Sequence, residues 1–87
     1  MHFSDQEKIF MKTAMQLAKE SYNLGEVPVG AIVVKNNEII GRGRNTVISD
    51  NDVTAHAEIN AIREASKMIG NYRPVSYTHL TLPTTRL

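Results

Sequence analysis

The chain has no cysteine among its 87 residues. Neither a disulfide framework nor a thiolate metal site can be built from it alone, so two staples that small domains use to offset a modest core are excluded. It has no marked excess of either charge: ten Lys and Arg stand against nine Asp and Glu, a formal +1. That is too little for strong non-specific attraction to nucleic acid, so any contact with a polyanion must be local. Long apolar runs are missing as well. The longest, residues 31–34, falls far short of the roughly 20 residues that cross a bilayer. Residues 1–8 are polar, where a secretory leader would be apolar. These absences predict a single small domain, soluble and cytoplasmic, with no membrane segment.

The residues that are present follow a clear order. Ser4-Asp5-Gln6-Glu7 fits a capping box, in which a hydroxyl and a carboxylate satisfy the free backbone N–H groups of a helix start. Phe10, Ala14, Leu17, Ala18 and Leu24 then recur near helical spacing and leave Lys8, Lys12, Lys19 and Glu20 for solvent. With Gly25 as a left-handed stop, this predicts a helix over residues 5–24. Glu26-Val27-Pro28-Val29-Gly30 breaks the pattern and reads as a loop entering a strand. Ala31-Ile32-Val33-Val34 is the buried strand, Asn36-Asn37 tolerates the positive φ of a tight turn, and residues 38–42 resume an extended pattern. Residues 43–53 form a loop, and Thr54 or Asp52 can cap a second helix carrying Ala57, Ala61, Ile62, Ala65 and Ile69, ended by Gly70. Helix, strand, strand, helix is an α/β layer arrangement that needs further strands to close its core.

Chemistry concentrates in His56-Ala57-Glu58, at the start of the second helix. A neutral imidazole can bind Zn²⁺, which lowers the pKa of its bound water to about 7, and a carboxylate two residues away can shuttle protons from that water. By itself the triplet is a weak signal, since His-x-Glu arises by chance in roughly one chain in five of this composition. Its context strengthens it: it opens a helix, follows a Gly/Asn-rich loop, and lies downstream of a hairpin that presents loops to the same end.

Three blocks in order then carry a resemblance. Glu26-Val27-Pro28-Val29-Gly30-Ala31, Gly41-Arg42-Gly43-Arg44-Asn45 and Thr54-Ala55-His56-Ala57-Glu58 resemble the cytidine and deoxycytidylate deaminase superfamily. Gly70-Asn71-Tyr72-Arg73 is similar to its tRNA adenosine deaminase branch, so the resemblance covers residues 5–73. It implies a cytidine deaminase-like α/β/α layered fold, here truncated, with zinc as cofactor. It implies that His56 is a zinc ligand, that Glu58 is the catalytic proton shuttle and not a ligand, and that Asn45 hydrogen-bonds the flipped base. Val29, Gly30 and Ala57 would line the base pocket. Taken as bare residues, Asn45 is equally a turn former, Val29 a loop residue and Gly30 punctuation. The activity implied is hydrolytic conversion of adenosine to inosine at the tRNA anticodon wobble position, with the anticodon loop and a second copy, as a homodimer, for partners. Cytidine, deoxycytidylate and guanine deaminases share the His-x-Glu helix, so they stay open as alternatives, as does a deaminase-fold fragment without catalysis. Val53 stands where the family commonly has Pro, which loosens the helix start. Lys35, Arg42 and Arg44 could reach phosphates or simply form a solvated strand face.

The family completes its zinc site with Pro-Cys-x-x-Cys after a third strand, and this chain has neither. From Pro74 onward nothing matches a deaminase segment. Residues 75–84, Val-Ser-Tyr-Thr-His-Leu-Thr-Leu-Pro-Thr, resemble the translation of one frame of a transposase adapter used in sequencing libraries. The expectation is a deaminase N-terminal part over residues 1–73 and a non-native tail over residues 74–87. A genuine C-terminal strand is the alternative, permitted by the tail's Tyr, Thr, Val and Leu. With one zinc ligand where three are needed, the chain alone should be inactive. The strand over residues 31–34 should also lack a neighbour on one side and favour aggregation.

Overall fold

A computed structural model describes residues 4–69, 80–81 and 83–86. The elements run α1 (Asp5–Asn23), β1 (Val29–Lys35), β2 (Glu38–Arg44), α2 (Ala57–Ile69), β3 (Leu80–Thr81) and β4 (Thr84–Arg86). The expected stop at Gly70, the Gly70-Asn71-Tyr72-Arg73 segment and the start of the tail lie outside the described residues.

Helix α1 begins where its cap demands: Ser4 is extended and its Oγ accepts the Glu7 N–H at 3.1 Å. It ends at Asn23, with Leu24 as C-cap and Gly25 at φ +75°. A residue with a Cβ would be strained there, which makes the glycine a physical stop. Phe10, Ala14 and Ala18 are buried, as the periodicity predicts. Leu24 is not: it is 52% exposed, because it follows the last helical residue and leaves the apolar stripe.

The hairpin closes on Asn36 (φ 51°) and Asn37 (φ 63°), between the paired residues Lys35 and Glu38. Positive φ at both turn residues matches the right-handed twist of the strands. β1 pairs antiparallel with β2 from Gly30↔Arg44 to Lys35↔Glu38, and a register shift between Val33 and Val34 leaves Ile40 as an extra residue. That bulge lets Ile40 and Gly41 both face the same layer.

β1 begins at Val29, two residues earlier than the apolar run suggests, and β2 runs on to Arg44. Val29, Gly30, Gly43 and Arg44 therefore belong to strands and not to loops. The sheet is covered on both faces, which is why β1 is buried at every interior position. Ile32 and Val34 pack with Phe10 and Leu17 of α1. Ala31 and Val33 pack with Ala57, Ala61 and Ala65 of α2. This is the α/β/α layering expected from the sequence. Ile32 is fully buried, and removing a side chain of that size from water contributes about 2 kcal/mol.

Helix α2 shows two corrections. Its first residue is Ala57, and the bond from the Asn60 N–H to the His56 carbonyl at 2.9 Å makes His56 the capping position. Asp52 instead forms a local turn, accepting the Thr54 N–H at 2.9 Å and the Thr54 hydroxyl at 2.7 Å. The buried stripe consists of Ala57, Ala61 and Ala65, while Ile62 is 45% exposed. Small residues are needed on that stripe because α2 lies directly on the glycines of β2.

The expected bare edge of β1 is also corrected. Val29–Ala31 pair antiparallel with Thr84–Arg86, and Val34 and Lys35 pair with Thr81 and Leu80. The Ile32 N–H donates to the Pro83 carbonyl at 3.0 Å. Backbone pairing needs only an extended segment with free N–H and C=O groups, so a Thr- and Leu-rich tail can cover this edge whatever its origin.

Candidate active site

Backbone hydrogen bonds gather the three sequence blocks into one neighbourhood. The Asn45 N–H donates to the Val29 carbonyl at 3.1 Å, which fixes the exit of β2 beside the start of β1. The Thr46 N–H donates to the Ala55 carbonyl at 2.9 Å, which folds the loop back so that His56 follows at once. Val29 packs against the cluster that contains Ala57. Val29, Gly30, Asn45, His56, Ala57 and Glu58 thus share one end of the sheet, Val29 on the α2 face and Gly30 on the α1 face.

Each residue has a distinct setting there. His56 is exposed and Glu58 half-buried, two positions apart on a helix start whose dipole favours the carboxylate. Asn45 is 4% exposed and its Oδ1 accepts the Val47 N–H at 3.2 Å. Its carbonyl accepts the Ser21 hydroxyl at 3.0 Å. Ala57 is buried in the sheet-facing stripe. Gly30 owes its missing side chain to α1, since a Cβ there would collide with the Ala14 carbonyl and Ala18 backbone. Toward a base it can offer backbone only.

Three residues that the sequence reading left without a role hold this arrangement. Asn60 sits one turn into α2 and donates to the Arg44 carbonyl at 2.8 Å, to Thr46 Oγ1 at 3.0 Å and, less closely, to the Ala55 carbonyl at 3.4 Å. It ties both ends of the loop to the helix that carries Glu58. An asparagine inside a helix is a poor helix former, and that was the available signal. Ser21 bonds the loop to α1. Glu26 is 5% exposed; burial alone would raise its pKa, but hydrogen bonds from the Ile48 and Ser49 N–H groups and the Ser49 hydroxyl hold it below the usual glutamate range. Asp52 is likewise held low, by the Thr54 hydroxyl and N–H, against some desolvation and with help from Arg63. Arg44 lies 3.6 Å from Glu20 in an ion pair that is partly exposed on both sides, so one of the candidate phosphate contacts already has a partner.

A zinc site does not fit this chain on its own. Zinc takes three protein ligands in a hydrolase, and the described residues hold no group of three His, Cys, Asp or Glu that could bind a metal. The sequence has no cysteine to add. No helix among the described residues is long and apolar enough to cross a membrane.

Comparison with known proteins agrees with this frame. A tRNA-specific adenosine deaminase of Buchnera aphidicola subsp. Baizongia pistaciae is 54% identical over 85 residues, 98% of this chain and 49% of that protein. The guanine deaminase of Bacillus subtilis is 49% identical over 65 residues, 74% of this chain and 42% of its own length. A solved structure from work on A-to-I editing by tRNA:A34 deaminases superposes with a TM-score of 0.83 at 37% identity, covering 91% of this chain and 58% of that one. The chain spans about half the length of the curated relatives it matches. The family model for the cytidine and deoxycytidylate deaminase zinc-binding region matches residues 4–82, past the boundary read at Arg73. With that match laid over a sheet end that gathers Asn45, His56 and Glu58, the chain belongs to the cytidine and deoxycytidylate deaminase family.

Proposed function

We propose that the whole protein is a hydrolytic deaminase that converts adenosine to inosine at the wobble position of the tRNA anticodon loop, working as a cytoplasmic homodimer. The observation that carries this reading is the convergence of Val29, Asn45 and the His56-Ala57-Glu58 helix start at one sheet end. The tRNA-specific adenosine deaminases among its relatives support the substrate. In this reading Asn45 bonds the flipped base, while Val29, the Gly30 backbone and Ala57 line its pocket. Glu58 takes a proton from the attacking water and returns it to N1 of the adenine as the water oxygen bonds to C6. The proton of the new C6 hydroxyl then passes through Glu58 to the amino group, the C6–N bond breaks, and ammonia leaves as the C6 carbonyl of inosine forms. His56 is the imidazole contribution to a zinc site whose remaining ligands lie outside this chain.

The Bacillus subtilis relative favours guanine as the rival substrate. Producing the whole protein and supplying tRNA and free guanine separately decides between them. Inosine in tRNA with guanine untouched is expected. Xanthine from guanine without inosine gives the rival, and neither product gives a non-catalytic member. The present chain should bind no stoichiometric zinc and form no inosine.

Residues 74–87 belong, in the same reading, to a foreign tail, of which Leu80–Thr81 and Thr84–Arg86 occupy the edge of β1 in place of the family's next strand. Resequencing the gene should replace them with a segment leading to Pro-Cys-x-x-Cys. Independent reads that return the same tail and stop would refute this.

A further inference from the structure

Glu26 is the only charged side chain in the buried set of the described residues, and the reaction proposed above gives it no task. An ionised carboxylate is costly to bury unless its oxygens are well bonded. Here Oε1 accepts the Ile48 N–H at 3.0 Å, and Oε2 accepts the Ser49 N–H at 2.6 Å and the Ser49 hydroxyl at 2.7 Å. Its own backbone is fixed too, because the Glu26 N–H donates to the Ser21 carbonyl at 2.9 Å. Ser21 in turn gives its hydroxyl to the Asn45 carbonyl at 3.0 Å. Ser21 in α1 and Glu26 just beyond its end therefore grip the loop at two points, Ser21 at Asn45 and Glu26 at residues 48–49. Between the grips lies Val47, whose N–H sets the orientation of Asn45 Oδ1 at 3.2 Å.

From this chain of contacts we infer that Glu26 is a positioning residue for base recognition: its carboxylate locks residues 46–49 so that Val47 holds the Asn45 amide in one orientation. With Oδ1 engaged by backbone, Asn45 meets a base through its Nδ2 donors, which suit the ring-nitrogen acceptors of adenine. Pre-ordering that amide lowers the entropy cost of gripping the base, so loss of the lock weakens binding and leaves the proton transfer by Glu58 alone. The inference rests on the role proposed for Asn45, but the lock itself can be measured without substrate.

The test is amide hydrogen exchange on the chain as it stands, comparing it with Glu26→Gln. Glutamine keeps one acceptor and turns a donor toward Ser49, so the bond from the Ser49 N–H is lost while the Ser49 hydroxyl can turn round and accept. Exchange at Ile48, Ser49 and Val47 should quicken about tenfold or more, with Ala14 and Ala18 in the core unchanged. Should that variant fail to fold, Ser49→Ala, which removes one bond, should quicken the same three amides by roughly threefold. Val47 unmoved while Ile48 and Ser49 quicken overturns the inference, as does equal quickening at every amide. In the whole protein Glu26→Gln should raise KM for tRNA about tenfold with kcat within about twofold. A fall in kcat at unchanged KM overturns the recognition role. A whole protein that deaminates no purine sinks the proposed function instead, and the exchange result still judges the lock.

Discussion

Gly43→Ala is expected to lower the stability of the chain by about 3 kcal/mol, at the upper end of what overpacking costs. Gly43 pairs with Ala31 in the sheet and lies under the first turn of α2. A Cβ at this position meets the Ala57 carbonyl and the Ala61 backbone nitrogen. Both are main-chain atoms, so no rotamer change relieves the clash and α2 must move away from the sheet. The stripe of Ala57, Ala61 and Ala65 then loses its contact with Ala31 and Val33, the larger part of the core on that face. Urea unfolding gives the measurement, through the shift of the midpoint at constant slope. Gly25→Ala is the contrast: nothing lies within 4 Å of its Cβ, and only the positive φ of 75° is strained, so it should cost about 1 kcal/mol. Equal losses in the two variants would show that the close approach of α2 to β2 is not what Gly43 serves.

The same packing explains why the blocks that frame the candidate site could be picked out in the sequence. Gly41-Arg42-Gly43-Arg44-Asn45 and His56-Ala57-Glu58 are far apart in the chain, but glycines on the strand and alanines on the helix are the two sides of one close contact. Residue size therefore recorded a tertiary fact. The turn residues Asn36 and Asn37 and the stop at Gly25 were readable because positive φ restricts residue choice at the position itself.

Other features depended on partners that no local pattern encodes. The start of α2 fell at His56, a residue with no preference for capping, because the loop before it is tied by Asn60 and by the Thr46–Ala55 bond. Local preference pointed to Asp52 or Thr54, and a candidate chemical residue overrode it, as is common at sites. Ile62 read as core by spacing, yet the helix turns its alanine stripe to the sheet and leaves Ile62 on the flank. Glu26 read as part of a loop motif, and only the fold brings Ile48 and Ser49 to it. The pairing of the tail with β1 lay beyond sequence for a different reason: main-chain hydrogen bonds carry almost no side-chain information.

Glu58→Gln in the whole protein is expected to lower kcat about a thousandfold, within the range that a positioned acid–base group contributes, and to change KM for tRNA little. Glu58 follows Ala57, the first residue of α2, and is half-buried. Ala57 packs into the core beneath it, so the carboxylate is carried on a rigid element and can be held at one distance from a bound base. Glutamine keeps the shape and can still accept one hydrogen bond, but it cannot take a proton from water and return it to the ring. The substitution therefore removes an interaction made only as the reaction proceeds. Metal content separates this role from that of its neighbour: Glu58→Gln should retain zinc, whereas His56→Ala should lose it together with activity. Single-turnover rates measure the chemical step, and zinc bound per protein is read on the same samples. A Glu58→Gln protein that has lost its zinc would assign Glu58 to the metal and not to the proton. One that keeps both zinc and rate would move the proton transfer to another residue.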